Sequence, residues 1–435
     1  MPATRETPVI VTRREVERLF VEKPAESAIH DAAAEENPME RAQAMAMTGA
    51  ILRELQKAEQ AAGSGRVMVT AQHGPASRLQ SLIASGELGT LELEPLPAGG
   101  LEAKFDTSDW AGWATVIWAR LRHLKKHPLL RPAHPGVQAL PDKGRVGLTG
   151  DWGTGLYGAP KIADRILADP DPYMMLMHLG DVYYAGSSRE MQQRYLDLWP
   201  RRPEAIHRAL NSNHDMYSGG DHYFDMALPA FGQDASYFAH QNAHWTLVGL
   251  DVAYIDHAID DEQVAWLKGI VEQAGNRKIV LFSHQQLFSG LDSQGDKLRA
   301  HPGFGALLNS RRFFAWYWGH EHRCAIYQER DAASGLLGRC IGHGGMPQSR
   351  SRTRDFAKAP GFDRADWRLQ PERLNEQGQR IAPPAVVLEG PNPLIAGEED
   401  DFAPHGFAVL TFDGPHLIEQ VLDVEGAVIY EKALA

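Results

Sequence analysis

Two stretches decide how this chain is read: Arg145-Val146-Gly147-Leu148-Thr149-Gly150-Asp151-Trp152-Gly153, and Tyr173-Met174-Met175-Leu176-Met177-His178-Leu179-Gly180-Asp181-Val182-Tyr183-Tyr184. Each holds an apolar run of strand length, and each delivers an Asp where the run stops. Carboxylates at the carboxyl ends of parallel strands face the crevice in which α/β sheets place their chemistry. Two such Asp, a nearby Tyr and three later His motifs make a metal site the first hypothesis.

The neighbouring sequence extends the pattern in both directions. Strands over 145–149, 173–179 and 208–212 alternate with helices over 160–168 and 189–198. A strand pair over 237–240 and 245–250 follows, then a helix over 260–274 and strands over 278–282 and 313–318. Further strands are expected at 325–328, 338–341, 407–412, 416–422 and 428–430. An α/β first part and an antiparallel last part fit an α+β chain built as a two-sheet β-sandwich flanked by helices. Residues 349–404 are polar and Pro-rich and read as a long loop insertion.

Upstream, Pro38 opens a helix that Gly63-Ser64-Gly65 stops, with Ala44, Met47, Ile51, Leu55 and Ala58 at helical spacing. A second helix is expected over 75–84, a loop over 86–105 and a third helix over 107–126. The third carries Trp110, Trp113, Ile117, Leu121 and Leu124 on one face, a packing surface rather than a ligand platform. A short helix over 13–20 completes this region. Residues 132–143, with Pro132, Pro135 and Pro141, read as a linker. The division is a helical N-terminal region, 1–140, of unassigned role, and a main domain, 141–435.

Composition limits the partners. The 435 residues carry a formal net charge of −12, which disfavours nucleic acid and anionic membrane. Residues 1–21 lack the apolar centre of a secretory signal, and no uncharged run is long enough to span a bilayer, so the expectation is a cytoplasmic protein. Two cysteines, Cys324 and Cys340, are too few for a disulfide scaffold or a Cys-rich zinc site and read as free thiols. The N-terminal helices offer a surface for an oligomer.

Gly153-Thr154-Gly155-Leu156-Tyr157-Gly158 imitates a dinucleotide fingerprint, with Asp181 near the end of the next strand. Asp151 and Trp152 sit where that fingerprint would put its turn, and a dinucleotide fold gives no reason for Tyr184 or the His motifs. The glycines are better read as letting a loop pass close to other groups.

Five motifs stand at or near strand ends: Gly150-Asp151-Trp152-Gly153, Gly180-Asp181-Val182-Tyr183-Tyr184, Asn213-His214-Asp215, His284 after Val280-Leu281-Phe282-Ser283, and Gly319-His320-Glu321-His322. Singly each is weak; a strand-end Asp is usually a cap, and Asn-His-Asp usually a turn. Together they supply carboxylates, a phenol, an amide and imidazoles. Carboxylate and phenolate suit hard cations, and imidazole suits zinc and ferrous iron. Seven ligands are too many for one catalytic ion with an open position. They fit two ions about 3.5–4 Å apart that share a carboxylate.

In this order the motifs resemble the calcineurin-like metallophosphoesterases, and within them the purple acid phosphatase branch. The branch is indicated by Asp151-Trp152-Gly153 in place of Asp-x-His, and by Tyr184 following Asp181. The likeness covers residues 144 to the C-terminus and implies a four-layer αββα fold with the helical N-terminal region as an extension. It implies that Asp151, Tyr184 and His322 bind a first metal, Fe(III), and that Asn213, His284 and His320 bind a second, Fe(II), Zn(II) or Mn(II). Two Mn(II) ions are the alternative. Asp181 would bridge them. His214 would contact the phosphate or protonate the leaving group, with Asp215 orienting it, and His343 would reach the substrate. The implied activity is hydrolysis of a small phosphomonoester by a metal-bound hydroxide. A phosphodiesterase for a cyclic nucleotide or lipid head group, or a binding scaffold of the same fold, are the alternatives. The chain departs from the pattern at Ser212, where a Gly is usual.

Overall fold

The computed structural model describes residues 38–62, 73–84, 93–95, 101–103, 125–132, 136–153, 155–291 and 295–435. The expected helix over 13–20 and most of the Trp-bearing helix over 107–126 lie outside these residues.

In chain order the chief elements begin with α1 (Pro38–Ala62), α2 (Gly74–Ala84) and a small pair β1 (Leu93–Pro95) and β2 (Leu101–Ala103). Next come β3 (Gln138–Ala139), β4 (Lys143–Thr149), α3 (Gly158–Ala168), β5 (Met175–His178), α4 (Glu190–Leu196), β6 (Ile206–Ala209) and α5 (Asn213–Met216). Then follow β7 (Phe238–Gln241), β8 (Trp245–Gly249), α6 (Asp261–Ala274), β9 (Lys278–Ser283), α7 (Pro302–Asn309), β10 (Phe313–Trp318), β11 (Cys324–Tyr327) and β12 (Leu337–Ile341). The chain closes with β13 (Asp366–Gln370), β14 (Arg373–Leu374), β15 (Arg380–Ala382), β16 (Ala385–Glu389), β17 (Gly406–Asp413), β18 (His416–Asp423) and β19 (Val428–Ala433).

Two large sheets result. One has the order β19-β18-β17-β4-β5-β6, the other β13-β16-β11-β12-β10-β9-β8-β7-β3. Strands β4, β5 and β6 are parallel, as are β8, β9, β10 and β12, so both sheets send carboxyl ends of parallel strands to one edge. Alternation along the strands sets the layers, because successive side chains leave a strand on opposite faces. Val146, Leu148, Leu410 and Phe412 meet Val280, Phe282, Ala315 and Tyr317 in a core between the sheets. Ile279, Leu281, Trp316 and Trp318 point the other way, onto α6 and α7. Leu176, Phe407 and Val409 point away from the other sheet, onto α3. The result is the α+β fold with two mixed sheets flanked by helices that the sequence implies.

Helix boundaries follow local chemistry. Asp260 caps α6 by accepting from the Glu262 and Gln263 N–H groups, acidic residues fill the first turn, and Gly275 at φ +54° ends it. Cys324 and Cys340 sit on the paired strands β11 and β12, yet Cys324 faces the inter-sheet core and Cys340 the outer one. They are free and buried, as expected.

Two local expectations in the main domain need correction. Residues 349–404 are not one loop, since β13 and β16 from this stretch extend the nine-stranded sheet. The run Ala385-Val386-Val387-Leu388 is buried and has the β-branched character of a core strand. The strand expected over 208–212 stops at Ala209. Asn213 opens a short helix instead, capped by Ser212, whose Oγ accepts from the Asp215 N–H.

Candidate metal centre

The crevice at the strand ends gathers the motifs. Asp151 follows β4, Asp181 follows β5, Asn213 opens α5 after β6, His284 follows β9, and His320 and His322 follow β10. Asp151, Asp181, His320 and His322 take positive φ angles of 53°, 80°, 69° and 54°. Left-handed backbone is costly for residues with a Cβ and clusters at functional sites. Here it turns four side chains inward from strand ends.

Two groups of donors form, and Asp181 belongs to both. Asp181, His284 and His320 present ligand atoms to one point, and Asp151, Asp181 and His322 to another. In the first, Asp181 Oδ1 lies 3.2 Å from His284 Nε2. Asn213 Oδ1 lies 3.0 Å from the same nitrogen and 3.1 Å from His320 Nδ1, and the two imidazole nitrogens are 3.1 Å apart. His284 Nδ1 donates to the Leu179 carbonyl at 2.8 Å, which leaves Nε2 with a lone pair. Asn213 Nδ2 donates to the Tyr217 hydroxyl at 2.9 Å, which aims Oδ1 at the cluster. A carboxylate oxygen, an amide oxygen and two imidazole nitrogens thus face one another around one point. Converging acceptors in a buried site call for a cation. Asp151 Oδ2 and Asp181 Oδ1 are likewise buried without a hydrogen-bond partner.

In the second group Asp151 Oδ1 accepts from the His320 backbone N–H at 2.9 Å and lies 4.0 Å from His322 Nε2. The phenol that joins it is that of Tyr183. Its hydroxyl donates to Asp181 Oδ2 at 2.5 Å and meets His322 Nε2 at 2.6 Å. Tyr184, the expected ligand, is buried and packs with α1 and α2. Its carbonyl accepts from His214 Nδ1 at 2.7 Å.

Electrostatics agree with a cation-binding role. Burial, then the neighbouring Asp181 carboxylate, raise the Asp151 carboxyl well above the usual range. Burial alone would raise Asp181 too, but the His284 and His214 imidazoles hold it well below. Burial and His284 push His320 well below the usual imidazole value. A buried pair of carboxyls of which only one ionises is how two acids behave without a cation between them. The residues present therefore fit two cations, with Asp181 between them.

His214 is fully buried, its ring 4.1 Å from that of Tyr183, and its Nε2 has no protein partner. Burial lowers its pKa to about 4. Asp215 does not orient it. That carboxylate accepts from Ser212 Oγ at 2.7 Å, and the Tyr184 carbonyl fixes the imidazole instead. His343 belongs to neither donor group. Its ring lies against Gly406, where an added Cβ would stand 2.8 Å from Nε2. His178 packs among Trp152, Tyr195 and Trp199 as a core imidazole. His240 accepts from Arg208 Nε at 3.1 Å on β7. The glycine loop after β4 serves packing: at Gly155 a Cβ would meet the Arg194 carbonyl at 2.6 Å, and at Gly158 the His405 side chain at 2.4 Å.

Sequence reasoning missed several supports. Glu321, between the two His ligands, accepts from Trp318 Nε1, Ser289 Oγ and Arg323. His257, at φ +56°, sets its ring 5.1 Å from that of His320 and bonds Asp256 through Nδ1 at 2.8 Å. Position inside the His-x-His motif could have flagged Glu321; nothing in the local sequence marks His257.

Residues 144–324 match the family model described as calcineurin-like phosphoesterase. No protein of curated function matches the chain. Among solved structures, the chain is similar to purple acid phosphatase PPD1 from yellow lupin (Lupinus luteus) seeds, at 13% identity and a TM-score of 0.47, over 69% of this chain and 55% of that one. It is similar to GAP50, the anchor in the inner membrane complex of Plasmodium, at 14% and 0.46, over 67% and 88%. PhoD follows at 10% and 0.40, over 70% of each. The chain thus spans just over half the length of the lupin protein. Among the described residues, no helix is long and apolar enough to cross a membrane.

Proposed function

We propose that this chain is a dinuclear metal-dependent phosphoesterase that hydrolyses a small phosphomonoester. The observation that carries the reading is the convergence of ligand atoms of Asp181, Asn213, His284 and His320 on one buried point, next to a second point shared by Asp151, Asp181 and His322. Asp151, Tyr183 and His322 would hold one ion, Asn213, His284 and His320 the other, and Asp181 both. Tyr184 gives up the phenol role, because its neighbour's hydroxyl is the one on Asp181 and His322. The oxygen-rich first set suits a trivalent or hard divalent ion, and the imidazole-rich second set suits Zn(II), Fe(II) or Mn(II).

A metal pair bound there supplies a clamp on phosphoryl oxygens and lowers the pKa of a water towards about 7. The chain's own residues do the rest. With Nδ1 tied to a carbonyl, neutral His214 offers Nε2 as an acceptor. An anionic phosphoester beside it favours protonation, after which Nε2 donates to a phosphate or leaving-group oxygen. The polar atoms around it are held by backbone groups, so the site is preorganised.

The test is metal analysis of the purified protein together with parallel assays on p-nitrophenyl phosphate and its bis ester. Two metal equivalents with turnover of the monoester are expected. Faster turnover of the bis ester would make the protein a diesterase with the same centre. A protein with both sites filled that turns over neither ester would leave the binding-scaffold reading standing.

A further inference from the structure

We propose that the buried pair Glu190 and Arg194 is a positioning clamp that sets Tyr183 and His214 at the metal centre. The inference rests on the phosphoesterase reading above and concerns residues outside the donor groups.

Both residues lie on α4, one helical turn apart, and both are buried. Glu190 Oε1 accepts from the Tyr184 N–H at 2.6 Å, and Oε2 accepts from the Ala185 N–H at 3.1 Å and the Ser187 N–H at 3.0 Å. Arg194 NH1 donates to the Tyr183 carbonyl at 3.2 Å and lies 3.5 Å from Glu190 Oε1. The Tyr183 carbonyl and the Tyr184 N–H are the two polar ends of one peptide group. One ion pair therefore grips that peptide at both ends, through charge-assisted hydrogen bonds in a dry site.

Two consequences follow from the covalent geometry. Fixing the plane after Tyr183 fixes the direction in which its side chain leaves, and that side chain ends on Asp181 and His322. The Tyr184 carbonyl, which receives His214 Nδ1, shares a planar peptide with the Ala185 N–H that Glu190 Oε2 holds, so the same carboxylate orients it. The clamp reaches a third motif as well, since the Arg194 carbonyl accepts from Trp152 Nε1 at 3.0 Å, beside Asp151. The buried N–H groups of Tyr184 and Ala185 need acceptors wherever they lie. Supplying them from one carboxylate couples the phenol and the imidazole to a single support.

The test is a set of substitution cycles in the full chain. Glu190→Gln puts an amide N–H₂ towards backbone donors, and Arg194→Met removes the donor to Tyr183. Each is made alone and in a His214→Ala, Tyr183→Phe double background. In the wild-type background each should lower kcat roughly tenfold to hundredfold with KM little changed, the cost of misplacing a catalytic group. In the His214→Ala, Tyr183→Phe double background the same substitution should cost less than about threefold, because what it positions is gone. A second readout is free of turnover: the ultraviolet–visible difference band of a metal-coordinated tyrosine should weaken in both single variants. Equal losses in both backgrounds, or unchanged kcat and an unchanged band in the single variants, would overturn the clamp. Should Glu190→Gln not fold, the Arg194→Met cycle decides alone. An inactive, metal-filled wild type would instead count against the phosphoesterase reading, so the two failures are told apart.

Discussion

Tyr183 and Tyr184 are adjacent and both buried, yet only one phenol reaches Asp181. The difference is open to measurement. Tyr183→Phe should abolish the tyrosine difference band on metal addition and weaken the Asp151-side ion, whereas Tyr184→Phe should retain the band and disturb packing against α1 and α2. Loss of the band in Tyr184→Phe alone would restore the expectation from the motif. His214→Ala should leave two metal equivalents bound and lower kcat by roughly 10²- to 10⁴-fold, the usual worth of a positioned acid–base group. A fall in metal content would show His214 to be a ligand instead. The His, Asn and Asp donors were legible in the sequence because strand ends deliver residues to one crevice whatever the details. Which of two neighbouring tyrosines turns inward was not, since the peptide between them is held by Glu190 and Arg194, which lie outside the motif. Asp215 places one carboxylate oxygen on Ser212 Oγ rather than on His214, a contact the motif does not encode.

The strands show what short-range pattern does and does not carry. Alternation in β9, β10 and β17 was readable because each face of these strands meets a different core. The sheet extension by β13 and β16 was not, because polar and Pro-rich stretches flank both strands and β11, the strand on which β16 docks, is distant in sequence. The N-terminal helices were legible as helices but not as neighbours of the site. Ile51 and Leu55 of α1 with Ala76 and Leu79 of α2 pack against Tyr183, Tyr184 and Met346. A Cβ at Gly74 would stand 3.2 Å from Tyr217, whose hydroxyl holds Asn213. This pair of helices backs the ligand loops. Leu79→Ala should therefore cost about 2–5 kcal/mol of local packing. Hydrogen exchange should then quicken in α1, α2 and residues 181–187 while β9 stays protected. Exchange confined to α2 would show that the helices do not support the loop.

Acid should unfold this protein through its histidines. Burial pushes His178, His240 and His343 down to about 3 and His405 to about 4. In the unfolded chain each would titrate near about 6.5. Below that pH the unfolded state binds protons that the folded state refuses, so stability is full above about pH 6.5 and falls as pH drops towards the folded values. The slope is about 1.4 kcal/mol per pH unit for each such group and ends once the folded imidazole also protonates. The Asp169 and Asp331 carboxylates, each held below the usual range by an arginine despite burial, add their losses only at lower pH still. Buried acids held high, Asp151 and Asp215, act in the opposite sense, and a metal on Asp151 removes its share. The imidazoles therefore set the slope between pH 6.5 and 5. His178 is the residue to test, because aromatic rings surround it and Phe fills nearly the same space. His178→Phe should shrink the stability difference between pH 7.5 and 5.0 by about 2 kcal/mol, read from denaturant unfolding of the metal-loaded protein at both values. An unchanged difference would mean that His178 is protonated in the folded protein, and the aromatic cage would have to admit a charge.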